Sequence, residues 1–447
     1  MESIVIRNAT IINEEQRYEA DLLLKNGRIE KIAPNIDVNY SVLEIDATGK
    51  YVFPGIIDDQ VHFREPGLTH KANIKSESRA AVAGGTTTFM EMPNTSPPAF
   101  TQALLEEKYQ IAARSSAANY SFYMGTSNDN YDEVMRTNDK TVCGVKIFMG
   151  SSTGNLLVDN PRVLEKIFAS SPMLIATHCE DEARITSNLA KYQAEYPNGA
   201  PAEIHPIIRD TEACYLSSSF AVDLAKSKDT RLHVLHISTA KEILLFDHLL
   251  PLSQKRITAE ACVHHLNFTD EDYATLGNLI KCNPAIKTSA DRDAIRKALL
   301  ENYIDIIATD HAPHTLTEKN QPYFSAPSGL PLVQHSFNLM YQGFLDGWIT
   351  LEQIVRKMCH APATCFTVEE RGYIREGYFA DLFIFDPSKS FEVQPSNILY
   401  KCEWSPLQGR KFVGAVETTF VNGQIAYSSQ SANTWQTLGK RVTFEGS

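Results

Sequence analysis

In the stretch GIIDDQVHFREPG, Gly55 to Gly67, Asp58, Gln60 and His62 recur at every second position and Arg64 follows. Side chains alternate faces along an extended strand with period 2, so Asp58, Gln60 and His62 are expected on one face. Neutral imidazole and carboxylate oxygen are both accepted by divalent metals such as zinc. A guanidinium such as that of Arg64 holds a carboxylate by two parallel hydrogen bonds. Other residues able to bind metal or move a proton lie in or directly after short apolar runs. They are Lys146 in GVKIFMG, His178 in LIATHCEDE, His236 in LHVLHIST and Asp310 in IIATDHAPH. One histidine ending a strand is more often structural than a ligand. Three histidines, a lysine and an aspartate at equivalent points of different runs indicate a shared site.

The lysine is the anomaly, because an ammonium repels a metal ion. Two readings of Lys146 stand. It forms a carbamate with carbon dioxide, an anion with two oxygens able to bridge two metals, or it is a salt-bridge partner for nearby acids. Spacing does not separate them.

Such residues need a scaffold that brings strand ends together. Eight β-branched or aromatic runs alternate with helix-compatible stretches: Tyr51–Ile57, Thr86–Met90, Tyr120–Tyr123, Val145–Phe148, Met173–Thr177, Leu232–Leu235, Ile257–Ala259 and Ile304–Ala308. This pattern predicts an α/β fold, a (β/α)₈ barrel, whose chemistry gathers at the C-terminal ends of its strands. Both chain ends are β-rich, each with an Asn-Gly hairpin signal, at Asn26-Gly27 and Asn422-Gly423. They are expected to meet as one small β-sandwich of residues 1–52 and 368–447, leaving 53–367 as the barrel.

The chain has 447 residues, 43% hydrophobic and 21% charged, ordinary for a soluble protein. A net charge of -12 without a basic run argues against nucleic acid and anionic membranes, yet leaves room for a locally positive pocket. The N-terminus lacks the pattern of a signal peptide, and no apolar stretch is long enough to cross a bilayer. The eight cysteines are scattered without a C-x-x-C pair. They read as free thiols in a reducing cytoplasm.

HFREPG, MEMPNTSPP, GVKIFMG, THCEDE, LHIST, VHHL, NPAIK and ATDHAPH stand in the order found in dihydroorotases of the amidohydrolase superfamily, and the chain resembles that family over nearly its whole length. GYIREGYFADL is shared more widely among amidohydrolases. The resemblance implies reversible, zinc-dependent cyclisation of N-carbamoyl-L-aspartate to dihydroorotate in pyrimidine synthesis. It makes His178 and His236 ligands of an outer zinc, His62 and Asp310 ligands of an inner zinc, and Lys146 the carboxylated bridge. Asp310 is also the expected general base, then acid. Arg64, Asn94 and His314 match positions that bind the substrate carboxylate, and Asn283 and the backbone near Gly329 match ring contacts. Allantoinases tend to carry asparagine in place of Arg64, and dihydropyrimidinases lack the REPG run.

Gln60 departs from the family, which has histidine there. An amide oxygen is a weaker zinc ligand than imidazole. The outer zinc is therefore expected to be firm and the inner one weak or absent. The alternative is that Gln60 is no ligand and hydrogen-bonds Asp310 or Asp58. Gln60 also supports a reading from another class: a non-catalytic homologue acting as structural partner of an aspartate transcarbamoylase. A third reading is a cyclic amidase acting on a hydantoin or allantoin. A homodimer is compatible with each.

Overall fold

Alternation of apolar and polar residues near the N-terminus produces paired strands, β1 (Ile4–Asn13), β2 (Gln16–Lys25) and β3 (Arg28–Ala33). Asn26 and Gly27 join β2 to β3 with φ of 53° and 84°, the left-handed pair that a tight hairpin requires. The computed structural model describes residues 3–150, 157–158, 160–430 and 435–446. Short strands β4 (Leu43–Asp46) and β5 (Tyr51–Pro54) run parallel to β1, at opposite ends of it.

The run Tyr51–Ile57 was expected to be one barrel strand. It divides at Gly55: β5 stays in the end sheet, and the barrel strand is β6 (Ile56–Val61). The barrel continues through β7 (Thr86–Glu91), β8 (Asn119–Phe122) with its continuation β9 (Met124–Gly125), and β10 (Val145–Phe148). It is completed by β11 (Ile175–His178), β12 (Leu232–Val234), β13 (Ile257–Cys262) and β14 (Ile306–Ala308). Neighbouring strands are parallel throughout, and the Val61–His311 bridge joins the last strand to the first. This is the (β/α)₈ barrel.

The chain then returns to the end sheet as β15 (Leu382–Glu392), β16 (Lys411–Val421) and β17 (Gln424–Ser428). The order is β17-β16-β15-β5-β1-β2-β3, with β4 branching from β1, so both chain ends share one sheet. It has its own core, including Ile6, Leu22, Val52, Leu382 and Phe420. Beyond the sheet, Val442 and Phe444 return to pack with Tyr123 and Phe366 under the barrel.

One irregularity matters for the site. The register of β6 on β7 shifts between Asp58 and Val61, a bulge in the first barrel strand. Strict alternation is therefore lost. Asp58 turns to Thr309, whose Oγ1 donates to it at 2.6 Å, and Gln60 turns to Asp310. Asp59, between them, also points inward, to His233 on β12 at 3.2 Å.

Candidate active site

A cavity of about 410 Å³ opens at the C-terminal ends of the barrel strands. Gln60, His62, Arg64, Asn94, Lys146, His178, His236, Asn283, Asp310, His314 and Gly329 all line it, so the fold brings together every site residue expected from the sequence. Gln60 lies on β6, Lys146 on β10 and His178 on β11, and His62, Arg64, Asn94, His236, Asp310 and His314 lie in the loops that follow β6, β7, β12 and β14.

His178 and His236 cross at one point, with His178 Nδ1 and His236 Nε2 2.8 Å apart. The other nitrogen of His178 donates to Glu180 Oε2 at 2.9 Å, which turns the Nδ1 lone pair towards His236. Burial lowers the pKa of both rings, so both are neutral. With its proton on Nε2, His236 donates to the His178 lone pair; with its proton on Nδ1, both lone pairs are free to hold a cation. Ligands of a tetrahedral zinc lie about 3.3 Å apart, a small separation from the observed geometry.

The opposite wall repeats the pattern. His62 Nδ1 donates to Asn94 Oδ1 at 2.7 Å. That leaves the Nε2 lone pair facing Asp310 Oδ1 at 3.0 Å. Burial lowers the His62 pKa more than Asp310 raises it, so here too a lone pair meets a carboxylate oxygen. Lys146 lines the same cavity, with its ammonium 4.7 Å from the Phe148 ring centre. Burial brings its pKa down to about 7, and the charges of Asp310 and Glu260 offset this only in part. The donor set of imidazole nitrogens and carboxylate oxygen fits zinc.

Gln60 Nε2 donates to Asp310 Oδ1 at 3.2 Å, and its Oε1 lies 3.7 Å from the Cys262 thiol. The Gln60–Asp310 hydrogen bond matches one of the two expectations for Gln60.

At the cavity's far side, Arg64 has a left-handed backbone, φ 69°, which carries its side chain under the loop after β14. Its Nε donates to the Pro313 carbonyl at 3.0 Å and its Nη2 lies 3.1 Å from His314 Nε2. Burial lowers its pKa to about 10, against the more distant charges of Asp310, Glu91 and Glu318. It remains a cation. Lys71 Nζ donates to His314 Nδ1 at 3.0 Å. The His314 ring is neutral, because burial and then the Arg64 and Lys71 charges depress its pKa. Gly329 lines the cavity, but its N–H donates to Lys281 O and its carbonyl accepts from Lys319 Nζ.

The model of the amidohydrolase family matches residues 51–426. The chain belongs to the amidohydrolase family. It is a cyclic amide hydrolase. A dihydroorotase from Enterococcus faecalis is 33% identical over 433 residues, 96% of this chain and 99% of the relative. A dihydroorotase from Carboxydothermus hydrogenoformans is 32% identical over 425 residues, covering 94% and 96%. Among solved structures, an L-hydantoinase (dihydropyrimidinase) from Arthrobacter aurescens superposes with a TM-score of 0.93 at 26% identity, over 99% of this chain and 100% of that one. A D-hydantoinase (dihydropyrimidinase) from Thermus sp. shares the fold, with a TM-score of 0.89 at 22% identity over 98% of both chains.

Within this amidohydrolase site, sequence reasoning missed the residues that act through others. Glu180 orients His178 and is itself held by Arg209 Nη1 at 2.5 Å. Burial would raise the Glu180 pKa, yet Arg209 and His178 hold it at about 2. THCEDE shows a carboxylate two residues after the histidine, but nothing local points to Arg209, on another segment. Lys71 was likewise silent. Among the described residues, no helix is long and apolar enough to cross a membrane.

Proposed function

We propose that this amidohydrolase is a dihydroorotase, interconverting N-carbamoyl-L-aspartate and (S)-dihydroorotate in pyrimidine biosynthesis. The observation that carries the reading is Arg64. It is a buried cation lining the same cavity as His62, His178, His236 and Asp310, its Nε donates to the Pro313 carbonyl, and among the described residues no carboxylate pairs with it. A substrate carboxylate would complete it. Relatives named dihydroorotase at 32–33% identity over nearly the full chain support the same reading.

His178, His236 and carboxylated Lys146 would hold one zinc, and His62, Asp310 and the same carbamate a second. When bound, zinc polarises a carbonyl and lowers the pKa of water to about 7. The buried Lys146 amine, with its pKa brought to about 7, has the neutral fraction that attacks carbon dioxide. Asp310 takes the proton of the attacking water and delivers it to the ring nitrogen as the ring C–N bond breaks. Gln60 Nε2, donating to Oδ1, fixes that carboxylate in place. Arg64 anchors the substrate so that its ring amide meets Asp310. In the direction of cyclisation, the amide forms and water leaves.

The similarity to an L-hydantoinase favours a second reading, a hydantoin-type ring as substrate. Arg64 separates the two, since that ring lacks the carboxylate. The test is turnover of dihydroorotate, carbamoyl aspartate, hydantoin and allantoin by the zinc-loaded protein. Activity on the first pair alone is expected. Turnover of hydantoin without dihydroorotate would overturn the proposal. Zinc-loaded protein inert on all four would favour the structural-partner role beside an aspartate transcarbamoylase.

A further inference from the structure

Beneath the active site, inside the barrel, three ionisable side chains meet with no exposed surface. They are Asp59 on β6, His233 on β12 and Glu260 on β13. His233 Nε2 lies 3.2 Å from Asp59 Oδ2 and 3.6 Å from Glu260 Oε2. One donor atom from each lies within 4.8 Å of the others. Both Asp59 oxygens, Glu260 Oε2 and His233 Nε2 are buried without a well-aligned hydrogen bond, the imidazole and the carboxylates meeting only at ion-pair distance. Two buried carboxylates sharing one imidazole nitrogen are under-satisfied, which is unfavourable in the interior.

The surroundings are arranged around that gap. His233 Nδ1 is 2.8 Å from Thr258 Oγ1, so Nδ1 carries the hydrogen bond and Nε2 turns towards the two carboxylates. This is how the second nitrogen of a metal-bound histidine is commonly held. The other oxygen of Glu260 accepts the His236 backbone N–H at 3.0 Å, leaving Oε2 for the gap. The β6 bulge turns Asp59 inward. The separations of 3.2 and 3.6 Å bracket the roughly 3.3 Å between ligands of a tetrahedral ion at zinc distances. A cavity of about 640 Å³ at the N-terminal ends of the strands is lined by Thr258 and Cys365, both adjoining His233.

We infer that Asp59, His233 and Glu260 form a buried site for one small divalent cation of the zinc class, structural rather than catalytic. One imidazole nitrogen and two carboxylates supply a donor set that zinc accepts and two negative charges that balance it. The ion ties β6 to β12 and β13 directly below Gln60 and His236. The competing arrangement is a buried imidazolium at His233 with no metal.

The probe is zinc alone, added in excess to the full chain before crystallisation, with diffraction recorded at the zinc edge. An anomalous peak within about 2.3 Å of His233 Nε2 and of both carboxylates is expected. Asp59→Asn should lower zinc content by one equivalent per chain and leave the zinc at His178 and His236. Zinc confined to the upper cavity overturns the inference, as does a His233 protonated on both nitrogens by ¹⁵N NMR in the zinc-saturated protein. If Asp59→Asn does not fold, the map and the NMR spectrum of the unaltered protein decide alone. None of these readouts depends on which substrate is turned over.

Discussion

At the scale of the residue, a handful of side chains should govern chemistry and affinity separately. Arg64→Met removes a charged hydrogen bond worth about 2 kcal/mol, which corresponds to roughly a thirtyfold rise in KM for both substrate directions. Zinc content should not change, because Arg64 contacts Pro313 and His314 and none of the proposed ligands. Steady-state kinetics with metal analysis checks both halves; unchanged KM would remove Arg64 from the substrate site. Lys146→Ala should lose zinc and activity together, and short carboxylic acids with added zinc should restore part of each, since a free acid replaces the carbamate. Full metal and full rate in that variant would exclude the bridging role. Gln60 donates to Asp310 with its amide nitrogen, so the inner position relies on His62, Asp310 and Lys146. Gln60→His should raise inner-site occupancy in a zinc titration after mild chelation, with the outer site little changed. Equal, chelator-resistant occupancy of both sites in the unaltered protein would show that Gln60 weakens nothing.

At the scale of the element, the site depends on how loops after neighbouring strands are clamped. The loop after β6 carries Arg64 and the loop after β7 carries Asn94, and they touch at Gly67. Gly67 has φ 81°, and a Cβ there would sit 1.9 Å from the Ser96 carbonyl oxygen. Both the backbone conformation and the close approach require glycine. Gly67→Ala should push these loops apart, misaligning Arg64 with Asn94 and the His62 it orients. The expected result is a higher KM together with a loss of stability of about 1 kcal/mol or more, from the positive φ alone. Thermal unfolding and kinetics on one preparation test it. A variant matching the parent in both would mean the clamp is dispensable.

At the scale of the molecule, burial of neutral histidines makes stability depend on pH. His335 is fully enclosed beside Phe391, Phe412 and Tyr400, and burial lowers its pKa to about 4. In the unfolded chain a histidine titrates near 6.5. Between these values the unfolded state binds the additional proton, so stability falls as pH falls. The contribution is complete above pH 6.5 and is lost on descending to about 4, up to roughly 3 kcal/mol for this one residue. Chemical unfolding of the metal-free protein between pH 7.5 and 4 should show the decline, with a shallower slope in His335→Gln. Equal slopes would mean that His335 is not kept neutral by the fold.

Much of the barrel and its upper site was legible in the chain, because strand runs, their polar termini and the Asn-Gly turns are local signals. His178, His236 and Asp310 could be read from their place at the ends of apolar runs, since the barrel geometry sends all strand ends to one mouth. What tertiary structure alone decided is of three kinds. The break at Gly55 assigns β5 to the end sheet through its pairing with β15, a partner more than three hundred residues away in the chain. The bulge in β6 depends on its register with β7, and it overrides the period-2 rule that would have turned Asp59 away from the interior. The partnerships of Glu180 with Arg209, and of Asp59 with His233 and Glu260, join segments whose proximity no spacing encodes. Local sequence sets backbone preference and residue type. Which charges end up sharing a buried space is set by packing, because only the closed barrel brings those strands face to face.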